Sequence, residues 1–284
     1  MKGYKGFEPG LICRGKQYAE NTVFEEEEAE ICSYGMHFCE NPFDVLDYYG
    51  FTNDTGDFNE FAEVEALEEV KTDDNRKFCT KKLKIGAKLS ISKFINACVD
   101  FAIEKTSTCI ADNKISSGDF AQIGSSGDFV KIGSSGDSAK IGSSGDFVKI
   151  GSSGDFAKIG SSGNSAKIGS SGYSAQIGSS GDYVKIGSSG DFAKIGSSGN
   201  SAKIGSSGNF AKIGSSGKDC VICCAGHNSV VKAKKGSWIT LAEWEYSKEK
   251  ERYIPKCVKT EFVDGERIKE DTLYKLIDGE FVEV

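Results

Sequence analysis

A nine-residue repeat occupies the middle of the chain and restricts the folds that the chain can adopt. Over residues 118–226 a glycine recurs every nine residues, thirteen times, and the unit reads G-S-S-G-[D/N]-[F/S/Y]-[A/V]-[K/Q]-I. Two glycines per unit disfavour a helix, while Ala157 and Ile159 alternate with Phe156 and Lys158 as they would in a short strand. The Ser-Ser-Gly-Asp tetrad has turn chemistry, with glycine accepting positive φ. The repeat therefore predicts a parallel β-solenoid.

The seventh position of the unit indicates how many units form one coil. Valine occurs there only in alternate units: one set reads Ala121, Ala139, Ala157, Ala175, Ala193 and Ala211, and the other reads Val130, Val148, Ala166, Val184, Ala202 and Cys220. Nine residues with a four-residue turn are too few to close a coil. We therefore predict a flattened coil of two units, with Ile and Ala or Val inside, and about six such coils stacked at ~4.8 Å into a rod roughly 30 Å long.

The sixth and eighth positions are predicted to face outward and to supply a binding surface. The aromatic candidates at the sixth position are Phe120, Phe129, Phe147, Phe156, Tyr183, Phe192 and Phe210. The cationic candidates at the eighth position are Lys149, Lys158, Lys185 and Lys194. Other units carry Ser at the sixth position, so the position is not deep core. Exposed aromatic columns favour a protein interface, although packing within the turn, and lysines that keep the solenoid soluble, would explain the same residues.

Composition along the chain limits the classes of partner. Residues 1–112 carry a net charge of −9, residues 113–227 carry +3 and residues 228–284 carry −1, which together give the formal net charge of −7. No segment is basic enough for a general nucleic-acid binder, and no apolar run is long enough for a membrane helix. The first residues lack the apolar core of a secretory signal, so we expect the cysteines to be reduced in a cytosol.

The segments on either side of the repeat are predicted to be separate domains. Residues 1–112 are interpreted as an α+β head domain, residues 113–227 as the solenoid, and residues 228–284 as a small β cap. The predicted head elements are a short helix opened by Asn41 and Pro42 that ends near Gly50, strands over 61–70 and 81–91, and a helix capped by Ser92 that runs to about Lys105. In the cap, Asp264-Gly265 and Asp278-Gly279 are predicted hairpin turns.

Both flanks resemble a domain of unknown function that is common in bacteriophage and prophage proteins. The N-terminal motifs are Cys13-Arg14-Gly15, residues 35–39 (GMHFC) with Pro42, and residues 61–64 (FAEV); the C-terminal motif is VDGERIKEDTLYKLIDGEFVEV at residues 263–284. The resemblance implies a phage protein that is made in the host bacterial cytoplasm. Proteins of this kind commonly engage or inhibit host machinery, including immune systems, and anti-CRISPR inhibitors are one type.

The repeat itself resembles two known β-roll families. The string at residues 201–205 (SAKIG) is similar to the head repeats of trimeric autotransporters, which implies a homo-oligomer, either a dimer or a trimer. The unit also resembles the calcium-binding nonapeptide of β-rolls. Here, however, Asp155 directly follows Gly154 and Phe156 occupies the ligand place, so calcium binding is not expected.

An enzymatic alternative rests on a resemblance of the head to ADP-ribosyltransferases. Arg14 follows an apolar strand, His37 lies in the GMHFC string, Tyr48 lies in an aromatic segment, and Glu65 lies on a predicted strand. In that family an Arg or His holds the dinucleotide and a late Glu orients its ribose. The resemblance implies a dinucleotide site at these four residues, although the S-T-S segment is missing and the spacing to Glu65 is short.

The end of the repeat carries cysteine and histidine at metal-ligand spacing. Cys220, Cys223, Cys224 and His227 include a C-x-x-C pair with a nearby histidine. Cys220 takes the inward Ala or Val place of the unit and Cys223 is assigned to a turn-glycine place, so packing explains them and no metal is predicted.

The sequence thus predicts a protein without catalytic residues, metal or cofactor. It is interpreted as a non-catalytic, phage-encoded binding protein that engages or inhibits a host bacterial protein through its head and solenoid faces. A structural protein associated with the virion is a further alternative.

Overall fold

The chain folds into an α+β head, a parallel β-solenoid and a C-terminal strand region, as the sequence predicts. A computed structural model describes residues 1–31, 33–53, 57–105 and 114–284. The solenoid spans residues 114–241, beyond the last predicted unit, because parallel pairing continues to Leu241. Within the described residues, no helix has the length and apolarity needed to cross a membrane.

The head is built on an antiparallel sheet of seven strands in the order β4-β9-β6-β1-β5-β8-β7. The head strands are β1 (Lys2–Phe7), β2 (Ile12–Cys13), β3 (Lys16–Gln17), β4 (Val23–Glu25), β5 (Met36–Cys39), β6 (Glu60–Ala66), β7 (Val70–Lys71), β8 (Lys77–Thr80) and β9 (Lys82–Leu89). The two predicted strands correspond to β6 and β9. One face of the sheet packs a core around Phe7, and the other face packs against helix α2 (Ile91–Lys105), where Phe61 stacks on Phe94 at 3.8 Å between ring centroids.

The two head helices begin at serine or asparagine caps. Helix α1 (Pro42–Val45) opens where predicted, because the Asn41 side chain accepts a hydrogen bond from the Phe43 N–H at 3.0 Å, but it ends well before Gly50. Helix α2 spans Ile91–Lys105. The prediction that Ser92 caps it was wrong: Ser90 Oγ accepts from the Lys93 N–H at 3.3 Å, and Ser92 lies inside the helix.

Each repeat unit contributes one strand, and the strands from β11 to β21 have the sequence Lys/Gln-Ile-Gly-Ser. The solenoid strands are β10 (Lys114–Ser116), β11 (Gln122–Ser125), β12 (Lys131–Ser134), β13 (Lys140–Ser143), β14 (Lys149–Ser152), β15 (Lys158–Ser161), β16 (Lys167–Ser170), β17 (Gln176–Ser179), β18 (Lys185–Ser188), β19 (Lys194–Ser197), β20 (Lys203–Ser206), β21 (Lys212–Ser215), β22 (Val221–Cys224) and β23 (Val230–Lys232). Strands pair in parallel with the strand two units away, so that Ile150 lies beside Ile168. The prediction of two units per coil is confirmed.

Alternate strands form two opposed sheets. We call the sheet of β11, β13, β15, β17, β19, β21 and β23 the covered sheet, and that of β10, β12, β14, β16, β18, β20 and β22 the open sheet. Ile and the Ala or Val of the seventh position point inward as predicted. The second-position serines, such as Ser143 and Ser161, are also fully buried between the sheets, which the polar Ser-Ser pair had not suggested.

The turns differ from the prediction in the residue that adopts positive φ. The sixth-position residue does so, with φ of 56° at Phe156 and 53° at Ser174, whereas the repeat glycines do not. The fourth-position glycine is required for a different reason. A Cβ at Gly172 would lie less than 3.0 Å from the carbonyl oxygen of Gly154, one coil earlier. The fifth-position carboxylate or amide accepts a hydrogen bond from a backbone N–H of the next coil. For example, Asp155 Oδ1 accepts a hydrogen bond from the Tyr173 N–H at 2.7 Å.

The C-terminal strands extend both sheets beyond the last coil. Strands β24 (Trp238–Ser247) and β25 (Arg252–Phe262) join the open sheet, and β26 (Tyr274–Ile277) and β27 (Glu280–Glu283) join the covered sheet. Asp278 and Gly279, both at positive φ, form the predicted hairpin turn between β26 and β27. The hairpin predicted at Asp264-Gly265 was wrong, because Asp264 Oδ1 accepts N–H groups of Glu266 and Ile268 in a loop between β25 and β26, which belong to different sheets.

Candidate functional site

The head lies along the covered sheet of the solenoid. The first-position glycines of that sheet point outward and form a furrow, into which helix α2 and the loop around Phe51 and Phe58 pack. A Cβ added to successive furrow glycines would meet Ala102, then Val99, then Ile95, then the ring of Phe51. The absent glycine side chains therefore let the helix backbone approach the sheet closely. This contact fixes which solenoid surfaces remain exposed.

Two ion pairs add electrostatic attraction to the contact between the head and the covered sheet. Lys140 Nζ lies 2.5 Å from Asp44 Oδ1, and Lys158 Nζ contacts Asp47 Oδ1. Arg76 spans the two carboxylates, at 2.8 Å from Asp44 and 2.5 Å from Asp47. Burial lowers the pKa of Lys158, and the Asp47 carboxylate opposes that shift. Lys158, predicted to be an exposed binding residue, is instead buried beneath the head because the head covers its sheet.

A continuous row of aromatic rings follows one edge of the solenoid. We call it the aromatic ladder, and it consists of Phe156, Tyr173, Phe192, Phe210, His227, Tyr253 and Tyr246. Consecutive ring centroids lie 4.3 to 5.8 Å apart, and Phe192 and Phe210 stack with their planes 9° apart. The rings remain accessible, with 52% of Phe156 and 55% of Tyr246 exposed.

The ladder borders a groove between the solenoid edge and the head. The groove encloses about 400 Å³ and is lined by the head segment from Leu46 to Gly50 and by Phe156, Phe192 and Phe210. Lys194 and Lys212 line the same groove. Of the predicted cations, Lys194 is half-buried here, whereas Lys149 and Lys185 are exposed on the open sheet. The groove thus combines apolar rings with cationic side chains.

The remaining predicted aromatic residues lie away from the ladder. Phe129 and Phe147 stack on the opposite edge with centroids 5.0 Å apart, and Tyr183 lies further along that edge. Phe120 is exposed in the first coil of the ladder edge. Sequence reasoning brought Phe156, Phe192 and Phe210 into one column but missed the four other rings. Tyr173 and His227 occupy the fifth position of the unit, so reading that column as well as the sixth would have identified them.

A second concave site lies in the head, and its lining shares Asp47 and Tyr48 with the groove. Arg14, His37 and Tyr48 line one cleft of about 550 Å³, together with Lys5 and Lys77. Glu65 does not reach it and lines a separate depression with Lys2 and Lys84. Three of the four residues of the predicted dinucleotide site therefore come together, and the carboxylate expected to orient the ribose does not.

The cleft is rich in cations and phenol rings. Lys5 is almost fully buried, and its Nζ donates to the His37 carbonyl at 2.8 Å. Burial, assisted by the charges of Lys5, Lys77 and Arg14, lowers the pKa of His37 to about 4, so that its ring is neutral at pH 7. The Tyr49 hydroxyl donates to Cys13 Sγ at 3.2 Å, and burial raises the pKa of Tyr49. Lys77 lies 4.9 Å from the Tyr48 ring centroid.

The cysteines at the end of the repeat occupy ordinary solenoid positions. Cys220 and Cys224 are buried in the Ala/Val and Ser places, and burial raises the pKa of Cys224 to about 12. Cys223 is exposed in a strand-glycine place, beside Gly205, and not in the predicted turn-glycine place. His227 belongs to the aromatic ladder. Over residues 1–31, 33–53, 57–105 and 114–284, no three metal-binding side chains converge.

These features define a β-solenoid repeat protein whose α+β head lies along one sheet and leaves an aromatic edge exposed. Residues 1–97 are similar to a family whose model is described as Domain of unknown function (DUF7666). That match supports the prediction of a domain of unknown function at the N-terminus and ends before the repeat. No curated protein matches the chain. No solved structure matches it either.

Proposed function

We propose that the protein is a non-catalytic binding protein that captures a partner protein with the aromatic ladder and the adjoining groove. The observation that carries this proposal is the unbroken row of seven accessible rings along one edge. Accessible apolar rows of this kind are typical of protein interfaces, where buried aromatic residues supply most of the binding energy. The cations of the groove suit a partner with carboxylates beside its apolar side chains.

The biological setting in this proposal comes from the sequence resemblance. We propose a phage or prophage protein that acts in the host bacterial cytoplasm on a host protein, with inhibition of a defence system as one form of that action. Self-association into a dimer or trimer through the same rings would be a second use of the ladder. A virion-associated role would instead predict stable co-purification with phage particles.

Replacing Phe192 and Phe210 together with serine is expected to abolish partner capture without unfolding the solenoid. Serine occupies the same position at Ser138, Ser165, Ser174 and Ser201 with nearly the same φ, so the backbone accepts it. Loss of two buried interface rings costs about 2 kcal/mol or more each in a typical interface. The measurement is capture from bacterial lysate, with captured proteins identified by mass spectrometry and the native mass recorded in parallel.

The matched control is the double change of Phe129 and Phe147 to serine on the opposite edge. This control removes a stacked pair that is more exposed than Phe192 and Phe210, and it leaves the ladder intact. Capture and native mass that are the same for the wild type and the ladder variant would overturn the proposal. An equal loss in both variants would show that the ladder has no special role.

A second candidate function, dinucleotide binding by the head, is favoured by one observation. Arg14, His37 and Tyr48 line the same cleft, and its cations and rings suit a phosphate group and a planar base. If the head is ADP-ribosyltransferase-like, Arg14→Ala should abolish the release of nicotinamide from NAD. Glu65→Gln, outside the cleft, is the control and should leave release unchanged. No release by the wild-type protein would discard this candidate.

A further inference from the structure

The solenoid has two furrows of the same construction, and the described residues of the head fill the furrow of the covered sheet and not that of the open sheet. The open sheet presents outward-facing glycines at Gly133, Gly151, Gly169, Gly187 and Gly205, between a column of lysines and a column of exposed serines. A Cβ added at the last four of these would meet no atom of the described residues within 4 Å. The furrow is wide and shallow, with a volume of about 800 Å³. Ile115 and Cys223 occupy the glycine places at its two ends.

The covered furrow shows which element such a surface accepts. Ile95, Val99 and Ala102 are four and three residues apart, and they lie over successive glycines of the covered sheet. One helical turn rises 5.4 Å, which is close to the ~4.8 Å between adjacent coils. A helix laid along the solenoid therefore places one small or β-branched side chain over each coil. The same match of spacings applies to the open sheet.

The charges beside the two furrows differ, and this difference indicates the charge of the element that the open furrow would bind. On the open sheet all five positions are lysine and lie in register: Lys131, Lys149, Lys167, Lys185 and Lys203. On the covered sheet, Gln122 and Gln176 interrupt the column, and carboxylates of the head contact Lys140 and Lys158. Like charges in neighbouring strands repel each other. Carboxylates from a docked element would relieve this repulsion on the open sheet as Asp44 and Asp47 do on the covered one.

We propose that the open furrow docks an acidic amphipathic helix of a partner protein. The five glycines span four coil steps, about 19 Å, which corresponds to about 13 helical residues. The helix would carry Ala or Val at positions i, i+4, i+7 and i+11, and glutamate or aspartate along the flank that faces the lysines. This site lies on a different surface from the aromatic ladder and does not depend on the ladder's role.

The test uses a designed probe with the complete protein. A fluorescein-labelled helical peptide of 15 residues, with Ala or Val at those four positions and Glu on one flank, is titrated by fluorescence anisotropy. Wild-type protein is expected to bind it at least about tenfold more tightly than a scrambled peptide of the same composition, a difference of about 1.4 kcal/mol. Lys149→Gln, Lys167→Gln and Lys185→Gln together should weaken binding by a similar factor, since Gln occupies the same place at Gln122 and Gln176.

A second variant tests the shape of the furrow without changing its charge. Gly151→Val, Gly169→Val and Gly187→Val together should fill the furrow and abolish binding, because these positions face outward in strands that favour β-branched residues. If circular dichroism shows that the triple variant does not fold, peptide binding by the single variant Gly169→Val is the deciding measurement. The ladder variant with Phe192→Ser and Phe210→Ser should bind the peptide normally, so failure of the two sites can be distinguished.

Three results would overturn the proposal. The first is no binding of the peptide by the wild-type protein. The second is equal binding of the designed and scrambled peptides. The third is unchanged binding by the valine variant together with loss in the glutamine variant, which would identify a general polyanion surface instead of a helix-docking furrow.

Discussion

Gly172→Ala is expected to disrupt the stack of coils, whereas Gly169→Ala, three residues earlier, should leave it intact. A Cβ at Gly172 would lie within 3.0 Å of the Gly154 carbonyl oxygen and carbon, both backbone atoms of the preceding coil that cannot move aside. We expect a loss of more than about 4 kcal/mol in the free energy of unfolding, the range of severe backbone or core disruption. Urea denaturation followed by circular dichroism at the strand minimum measures it.

Gly169 supplies the matched control for this prediction. Its side-chain direction is open, since no atom in the part of the chain that the structure describes lies within 4 Å of an added Cβ, and its φ is not positive. Alanine there should stabilise the protein by about 0.5–1 kcal/mol, because it reduces the conformational freedom of the unfolded chain. Similar unfolding free energies for the two variants would contradict the close coil-to-coil approach at the turns.

The second large effect is expected at the buried ion pair between head and solenoid. Asp44→Ala would leave Lys140, whose side chain is only 8% exposed, without the carboxylate that it contacts. Removing one partner of a buried pair typically costs about 3–5 kcal/mol. We expect the head to detach from the covered sheet at lower urea concentration, which hydrogen exchange of the amides in helix α2 would report.

The double variant Asp44→Asn with Lys140→Gln tests whether charge is the cause. Gln is native at the equivalent position 176, where its Nε2 donates to the Leu46 carbonyl at 3.0 Å. Removing both charges should restore most of the lost stability. If the double variant is as unstable as Asp44→Ala, the effect comes from packing around residue 44 and not from an uncompensated Lys140.

The solenoid could be predicted from sequence in considerable detail because its signal is repeated thirteen times. Strand pairing at 18 residues follows from the valine pattern, and the inward Ile follows from alternation. The turn geometry could not be derived in the same way. A glycine can be required because it adopts positive φ or because another backbone passes close to it, and the sequence does not tell these two reasons apart. The short distance between Gly172 and the Gly154 carbonyl in the structure identifies the second reason here.

The candidate site was predictable only in part, because it depends on how the head meets the solenoid. The valine pattern assigns Lys158 and Lys149 to opposite sheets, but nothing in the repeat shows which sheet the head covers. Lys158 is buried against Asp47, and Lys149 is exposed. The difference arises from α2 and the Phe51 loop, which are encoded far from the repeat. The ladder was found in part for the same reason, since Tyr253 and Tyr246 join it only where the cap hairpin reaches the edge.

The head contacts the covered sheet along nearly its whole length, from Gly124 under Ala102 to Gly214 under Phe58, and Asp57 contacts Lys232 beyond the last full unit. The contacts that the head makes therefore depend on the number of coils in the solenoid. Loss of one nine-residue unit would exchange the two sheets for every residue that follows, and loss of two would bring the cap one coil too close to the head loop. Near-identical tandem units ordinarily permit free variation in copy number, whereas in this chain a change in copy number would also change the contacts between the head and the solenoid.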